Sequence, residues 1–86
     1  MSAIPGHEEI RAAILRMSDE VAPRTFGTGD VARSLSKDWR PLMDAVRAET
    51  TTMADEGIVD VVQGGLVVDA HTAGEAVRVR RARPAQ

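Results

Sequence analysis

The side chains best suited to chemistry in this chain of 86 residues are two arginines near its middle. When residues 39–56 are wound as a helix, Arg40 and Arg47 lie about 20° apart on the face opposite the apolar stripe. An exposed guanidinium group can donate two hydrogen bonds to a guanine edge, which is worth roughly 1 to 3 kcal/mol of discrimination between bases. The competing interpretation is that both arginines pair with Asp44, one turn away, as weak surface ion pairs. The pattern therefore predicts either a face that reads DNA or an ordinary solvated face.

Three neighbouring side chains bear on the same question. Thr51 is predicted on the face of Arg47, where its hydroxyl can donate to a phosphate. It belongs to a run of threonines, 50–52, and each threonine disfavours a helix by about half a kcal/mol relative to alanine. Either Thr51 has a contact role or tertiary packing holds the helix. If the face binds DNA, we expect Arg33 and Lys37 to touch the DNA backbone.

The densest group of cations lies at the C-terminal end and contains Arg78, Arg80, Arg81 and Arg83. In an edge strand, Arg78 and Arg80 would project from one face while Val77 and Val79 face the core. Such a strand suits contact with phosphates or with an acidic protein. Charges on an outer strand also prevent aggregation between sheets, so both interpretations stay open.

Other residue types give no sign of catalysis. The chain has no cysteine and two histidines, His7 and His71, whose positions do not predict a zinc site. No serine or threonine has a histidine and an acid placed to activate it, and no glycine run forms a phosphate-binding loop. We therefore expect no enzyme activity, no metal and no cofactor. Glu49 falls on the apolar stripe, so we expect it to pair with Arg11 or Arg33, or to reach the rim of the core.

The charge balance limits the possible functions. The net charge of −2 argues against a constitutive, nonspecific DNA-binding protein. Residues 1–47 hold seven cations and seven acids, whereas residues 48–77 hold six acids and no lysine or arginine. Any cationic surface must therefore come from the middle helices and the C-terminal end. No segment approaches the roughly 18 apolar residues that a membrane span needs, and the N-terminus lacks the features of a signal peptide, so we expect a cytoplasmic protein without membrane contact.

Apolar spacing and turn residues predict an ordered set of elements. Leu42, Val46 and Met53 should turn inward together, and Phe26 should lie in the core. The elements are a helix over 7–21, a short strand at 25–26, a helix over 29–36 capped by Thr28, a helix over 39–56 capped by Asp38, a hairpin of strands 58–63 and 66–69 joined by Gly64 and Gly65, and a strand over 77–81. Gly57 should follow the end of the third helix. Residues 1–86 then make a single domain with loose ends at about 1–5 and 82–86.

Several stretches resemble a family of short bacterial proteins classed as a domain of unknown function. They are Ile10-Arg11-Ala12-Ala13-Ile14-Leu15, Asp30-Val31-Ala32, Asp38-Trp39-Arg40-Pro41-Leu42-Met43, Val46-Arg47, Gly57, Gln63-Gly64 and Val77-Arg78-Val79-Arg80. The resemblance implies a winged-helix fold and no established activity. This chain departs from the family pattern at the hairpin. Relatives tend to carry a cation between Gln and Gly, whereas here Gln63 is followed directly by Gly64.

The element order and the resemblance both favour an α+β winged helix-turn-helix. The first hypothesis for function is a DNA-binding module resembling a transcriptional regulator, with double-stranded DNA as partner. Its contacts would come from the third helix (Arg40, Arg47, Thr51), the preceding helix and break (Arg33, Lys37) and the last strand (Arg78, Arg80). The alternative is a winged helix for protein interaction or homodimer formation without nucleic-acid binding, in which the same face or the acidic hairpin docks the partner.

Overall fold

A computed structural model describes residues 5–74 and 77–82. Within these ranges the chain forms three α-helices, one 3₁₀ turn and a three-stranded antiparallel sheet. The elements in chain order are α1 (His7–Val21), α2 (Thr28–Leu35), the 3₁₀ turn (Arg40–Leu42), α3 (Met43–Asp55), β1 (Val59–Gln63), β2 (Leu66–Val67) and β3 (Arg78–Arg81). The predicted α+β class is confirmed, and the arrangement is compatible with a winged helix. Most of the predicted loose ends, together with Arg83, lie outside the described residues.

Helix α1 has the predicted bounds. Glu8 and Glu9 occupy its first turn, where carboxylates complement the helix dipole. The helix ends at Val21 because Ala22 precedes Pro23, and a residue before proline avoids the helical region. Its buried face is the predicted stripe, with Ile10, Ala13 and Ile14 in the core.

Helix α2 begins one residue earlier than predicted, and Thr28 is not its cap. Gly27 takes the N-cap position, and its N–H donates to the Asp30 carboxylate at 3.0 Å. Asp30 is the third helical residue, and its carboxylate thus satisfies the backbone N–H of the cap residue. Thr28 is then the first helical residue, and it is buried.

The third helix starts differently from the prediction. Residues 40–42 form a 3₁₀ turn that contains Pro41, and α3 begins only at Met43. Asp38 does not cap the helix with its side chain. Instead, Asp38 lies before the 3₁₀ turn, and its backbone N–H donates to the Ser36 hydroxyl at 3.2 Å. The helix ends at Asp55, one residue before the predicted bound, and Gly57 follows its end as predicted, with a φ of 78° that favours glycine.

The core lies between the three helices and the inner face of the sheet. Phe26, Leu42, Val46 and Met53 are buried, as predicted. The other buried members of this cluster are Ile10, Ala13, Ile14, Val31, Ala32, Val59 and Val79. The α3 residues of the cluster turn inward together, so the solvent-facing side of α3 is fixed by the same packing.

The sheet has the strand order β2-β1-β3, with β1 at its centre. Gln63 pairs with Leu66 across Gly64 and Gly65, whose φ values of 60° and 82° fit a two-residue hairpin turn. The last strand returns to the opposite side of β1, where Val61 pairs with Val79. The predicted short strand near Phe26 is a single bridge to Val79.

Residues 68–74, which follow β2, connect the sheet to α3. Hydrogen bonds hold this segment against β1 near both of its ends, from the Val68 N–H to the Val61 carbonyl at 2.9 Å and from the Gln63 side-chain amide to the Ala73 carbonyl at 3.1 Å. We call residues 68–74 the return loop. The second predicted strand of the hairpin, 66–69, is therefore shorter than expected, because the chain leaves the sheet after Val67.

Candidate nucleic-acid interface

Three of the predicted cations lie in the last turn of α2 and in the segment between α2 and α3, and two of them lie over one tryptophan ring. The guanidinium carbon of Arg33 lies 4.8 Å from the Trp39 ring centroid, and that of Arg40 lies 5.0 Å from it. Both distances are within the range in which a cation is attracted to an aromatic face. Lys37 is exposed in the segment between the two helices. We call this group, Arg33, Lys37, Trp39 and Arg40, the cationic turn.

Packing fixes the tryptophan that holds the cationic turn together. Trp39 is half-buried and packs against the core cluster, so packing restricts the ring over which the two guanidinium groups lie. A stacked guanidinium keeps its N–H groups at the plane edge, where they can donate to an anion. The ring thus restricts the two long side chains while leaving their donors available.

The acids near the cationic turn neutralise it only in part. Arg33 lies 3.3 Å from the Asp30 carboxylate, measured from Nη1 to Oδ1. Within residues 5–74 and 77–82, Lys37 and Arg40 form no ion pair. Arg40 therefore does not pair with Asp44, contrary to one of the interpretations of the sequence. The Nη1 of Arg47 does lie 3.8 Å from Asp44 Oδ1, on a carboxylate fully open to water.

The 3₁₀ turn changes the predicted alignment of Arg40 and Arg47. Each residue of such a turn advances about 20° further around the axis than an α-helical residue. The 20° separation calculated for a continuous helix therefore does not apply across residues 40–42. Arg40 belongs to the cationic turn, whereas Arg47 lies further along α3.

The return loop lies beside the second half of α3. His71 Nε2 lies 2.9 Å from Asp55 Oδ2 at the end of the helix. Nearer the middle of α3, a small open pocket is lined by Thr28, Arg47, Thr50, Thr51, Val61, Ala70, Gly74 and Val77. The face that the sequence predicts to be free in water is thus flanked by the loop along its C-terminal half.

The threonine run has a local structural explanation. The hydroxyls of Thr50, Thr51 and Thr52 donate to the carbonyls four residues earlier, at 2.8, 3.0 and 3.1 Å. Such bonds satisfy the hydroxyls inside the helix. Thr51 is half-buried, so a phosphate contact would require its hydroxyl to exchange this bond.

The arginines of β3 take part in contacts within the fold. Arg78 and Arg80 lie on the face of the sheet that carries Asp60 and Val62, while Val79 is buried on the other face. The Arg78 side chain donates to the hydroxyl and the carbonyl of Thr25, each at 3.2 Å. A Cβ at Gly27 would lie 3.2 Å from Arg78 Nη1, so the glycine allows this close approach.

The two following arginines of β3 meet carboxylates. Arg80 donates to Asp60 at 3.4 Å across the β1–β3 pair, and Arg81 donates to Asp19 of α1 at 3.2 Å. These contacts tie the last strand to its neighbours. Arg80 and Arg81 therefore have structural contacts within the fold.

Glu49 pairs with Arg11, one of the two arginines that the sequence analysis named as candidates. Its side chain is 9% exposed, and one oxygen accepts a hydrogen bond from Arg11 Nη1 at 3.0 Å. The other guanidinium nitrogen of Arg11 donates to Glu56, and His7 Nδ1 lies 3.7 Å from Glu49. Hydrogen bonds to Glu56 and then to Glu49 raise the pKa of Arg11 above its ordinary value. Arg11 therefore links α1 to two carboxylates of α3 and its end.

Two features of this region were not predicted from the sequence. The contact of Trp39 with Arg33 and Arg40 depends on the angle between α2 and the 3₁₀ turn. The contact of His71 with Asp55 joins residues 16 positions apart. The adjacency of Trp39 and Arg40 is the one sequence signal that could have indicated the first of them.

Two further properties concern the described part of the chain as a whole. No three histidine, aspartate or glutamate side chains lie close enough there to share a metal ion. None of its helices is long and apolar enough to cross a membrane.

The fold and the site define a small α+β protein that carries an exposed cationic turn ahead of its third helix. The chain belongs to the family described as protein of unknown function, DUF3253, whose sequence model matches residues 7–82. No curated protein matches the chain. The family description names no activity, so function has to be argued from the site itself.

Proposed function

We propose that this protein binds double-stranded DNA and that the cationic turn is its principal contact. The observation that carries the proposal is the stacking of Arg33 and Arg40 on Trp39, with Lys37 exposed beside them. Preorganised cations lose less conformational entropy when they bind phosphate than freely moving ones do. Such a group at the start of the third helix of a winged helix lies where this class of domain commonly approaches DNA.

The residues have different roles in this proposal. Lys37 and Arg33 contact the phosphate backbone, and Arg40 approaches the groove with the start of the helix. Arg47 and Thr51 follow along α3 and extend the contact, while Arg78 and Arg80 are auxiliary contacts on the outer face of the sheet. Transcriptional regulation in the cytoplasm is the biological role that such a module fits.

Salt dependence tests the proposal. Binding of the full chain to a random duplex pool is followed by fluorescence anisotropy between about 50 and 200 mM salt, a range over which phosphate-mediated affinity falls steeply. The variant Lys37→Gln/Arg40→Gln should bind more weakly, and its salt slope should fall by about one for each phosphate contact removed. Adding Arg47→Gln reports whether the contact extends along α3.

The matched control is Arg16→Gln/Arg24→Gln, which removes the same charge from exposed positions on α1 and in the loop after it. This control should keep the wild-type salt slope. Absence of binding by the wild type at about 50 mM salt and micromolar protein would reject the proposal. Equal loss in both double variants would show that only net charge matters, and would overturn the assignment of the cationic turn as the principal contact.

A further inference from the structure

The edge strand β2 exposes two apolar side chains. Leu66 is 72% exposed and Val67 is 56% exposed, and these are the exposed large hydrophobic residues of the described ranges. Both follow directly after the hairpin turn. Solitary apolar residues on a surface are common, but here the exposed pair coincides with the open edge of a sheet.

The hairpin register directs the backbone of Val67 outward. Gln63 pairs with Leu66, and the Val68 N–H donates to the Val61 carbonyl. Hydrogen-bonded and non-hydrogen-bonded pairs alternate along an antiparallel ladder, so the Val62–Val67 pair between them is of the second kind. The N–H and C=O of Val67 therefore point away from β1, toward the open side of the strand.

The two edges of the sheet differ in protection. Outside β3, Phe26 and Val79 exchange backbone hydrogen bonds of 2.8 and 2.7 Å, and arginines line the strand. Outside β2 there is no such cover among the described residues. Residues 63–68 contain no charge and no proline, which are two of the devices that prevent a strand edge from pairing; the short length of β2 is a third device, and it is present here.

We propose that β2 pairs with β2 of a second copy of this chain, antiparallel and centred on Val67. The Val67 N–H and C=O of each copy then bond to those of the other. Leu66 lies opposite Val68 of the second copy, and the pairing ends there because Gly65 belongs to the hairpin turn. Because this register places no like charges opposite one another, the strand edge is complementary to itself.

The charges around β2 favour a second copy over a basic partner. A basic segment would need acids at the edge, but Asp60 is paired with Arg80 and Asp55 is in contact with His71. Among the acids of the described ranges, Asp69 is the remaining one close to the strand, and it accepts a hydrogen bond from the His71 N–H at 2.9 Å. The neutral apolar run itself is therefore the recognition element.

The size of the contact sets its strength. Two strands of this length bury far less than the roughly 800 Å² per partner of a stable interface. We expect a dissociation constant in the high micromolar to millimolar range and a dimer that forms only at high local concentration. This inference concerns a different surface from the cationic turn and does not depend on DNA binding.

Sedimentation velocity and amide NMR dilution, from about 10 μM to 1 mM protein, test the pairing. The wild-type weight-average mass should rise toward that of a dimer, and the amide shifts of residues 65–69 should follow concentration. Val67→Lys should stay monomeric because each copy would bring a cation to the two-fold axis. Val67→Pro, which removes the outward N–H without adding charge, should do the same.

Thr52→Lys is the matched control, since it adds the same charge at an exposed position on α3 and should dimerise like the wild type. Circular dichroism verifies that each variant is folded. A wild-type mass that stays monomeric up to about 1 mM would overturn the proposal. A dimer that persists in both Val67 variants would also overturn it, because the copies would then meet through another surface.

Discussion

Arg11 is the residue on which the buried carboxylate of Glu49 depends. Glu49 is almost fully enclosed, and an enclosed carboxylate without a partner is costly because it has lost its hydration. The guanidinium of Arg11 reaches Glu49 from α1 and also binds Glu56. The acid was recognisable from the sequence because it interrupts an apolar stripe, but the choice between Arg11 and Arg33 needed the packing of α1 on α3.

Substitutions at this pair should have strongly unequal effects. Arg11→Met should lower the free energy of unfolding, because Glu49 then stays buried without its partner. Arg11→Met/Glu49→Leu should recover most of the loss, since apolar side chains suit this part of the core. Urea unfolding followed by circular dichroism measures both. A double variant no more stable than Arg11→Met would show that burial of the lone carboxylate is not the cause.

The raised pKa of Arg11 gives the stability no pH dependence near neutral pH, because the stabilisation is fully present there. A group whose pKa is higher in the folded than in the unfolded state stabilises the fold fully below the unfolded value. That stabilisation is lost only as the pH rises through the folded value, which for an arginine is strongly alkaline. Arg11 thus remains a permanent cation between α1 and α3.

The helix ends give a prediction at the level of elements. Gly57 has a φ of 78°, and no atom would meet a Cβ there, so Gly57→Ala should cost about 1 kcal/mol through backbone strain alone. Gly29 lies within α2, where a Cβ would be 3.6 Å from Arg33 Nη2, an ordinary contact. Gly29→Ala should therefore stabilise the protein by about 0.5 to 1 kcal/mol.

Thermal unfolding compares the two variants, which introduce the same methyl group in opposite backbone conformations. Since each kcal/mol shifts Tm by roughly 4 to 8 °C in a domain of this size, the changes should be opposite and measurable. Two shifts of the same sign would contradict the assignment of Gly57 to the position after the end of α3 or of Gly29 to the first turn of α2.

Local patterns were sufficient to predict most elements from the sequence. The bounds of α1, the inward positions of Leu42, Val46 and Met53, and the hairpin at Gly64 follow from periodicity and turn chemistry, which act over a few residues. The 3₁₀ turn was missed because a proline is compatible with the first turn of either helix type.

Contacts between distant segments could not be predicted in this way. The stacking on Trp39 requires the angle between α2 and the 3₁₀ turn, and the return of β3 to the far side of β1 requires the path of the return loop. Of the cations that the sequence analysis named, only Arg33, Lys37 and Arg40 are grouped in the cationic turn; the others lie further along α3 and on β3.

At the scale of the whole molecule, many acids contact cations or histidine of the same chain, so the net charge of −2 does not describe the charge that each surface presents. Of the acids in residues 48–77, Glu49 and Glu56 bind Arg11, Asp60 binds Arg80, and Asp55 contacts His71. Most of these carboxylates are thus in contact with side chains of the same chain. Lys37 and Arg40 lack such partners among the described residues, which is why a protein with a net charge of −2 can still present a cationic surface.

The return loop connects the sheet to α3, and the His71 side chain forms a polar contact with Asp55 at the end of that helix. Its Nε2 lies within 3.0 Å of both carboxylate oxygens of Asp55. Both side chains are 58% exposed, so His71→Ala should lower global stability by at most about 1 kcal/mol. The larger effect should be local: amide hydrogen exchange should accelerate at Val68 and Thr72, whose N–H groups hold the loop in place. His7→Ala removes a histidine that is 78% exposed on α1 and should leave these amides unchanged. Unaltered exchange in the His71 variant would mean that backbone bonds alone fix the loop beside α3.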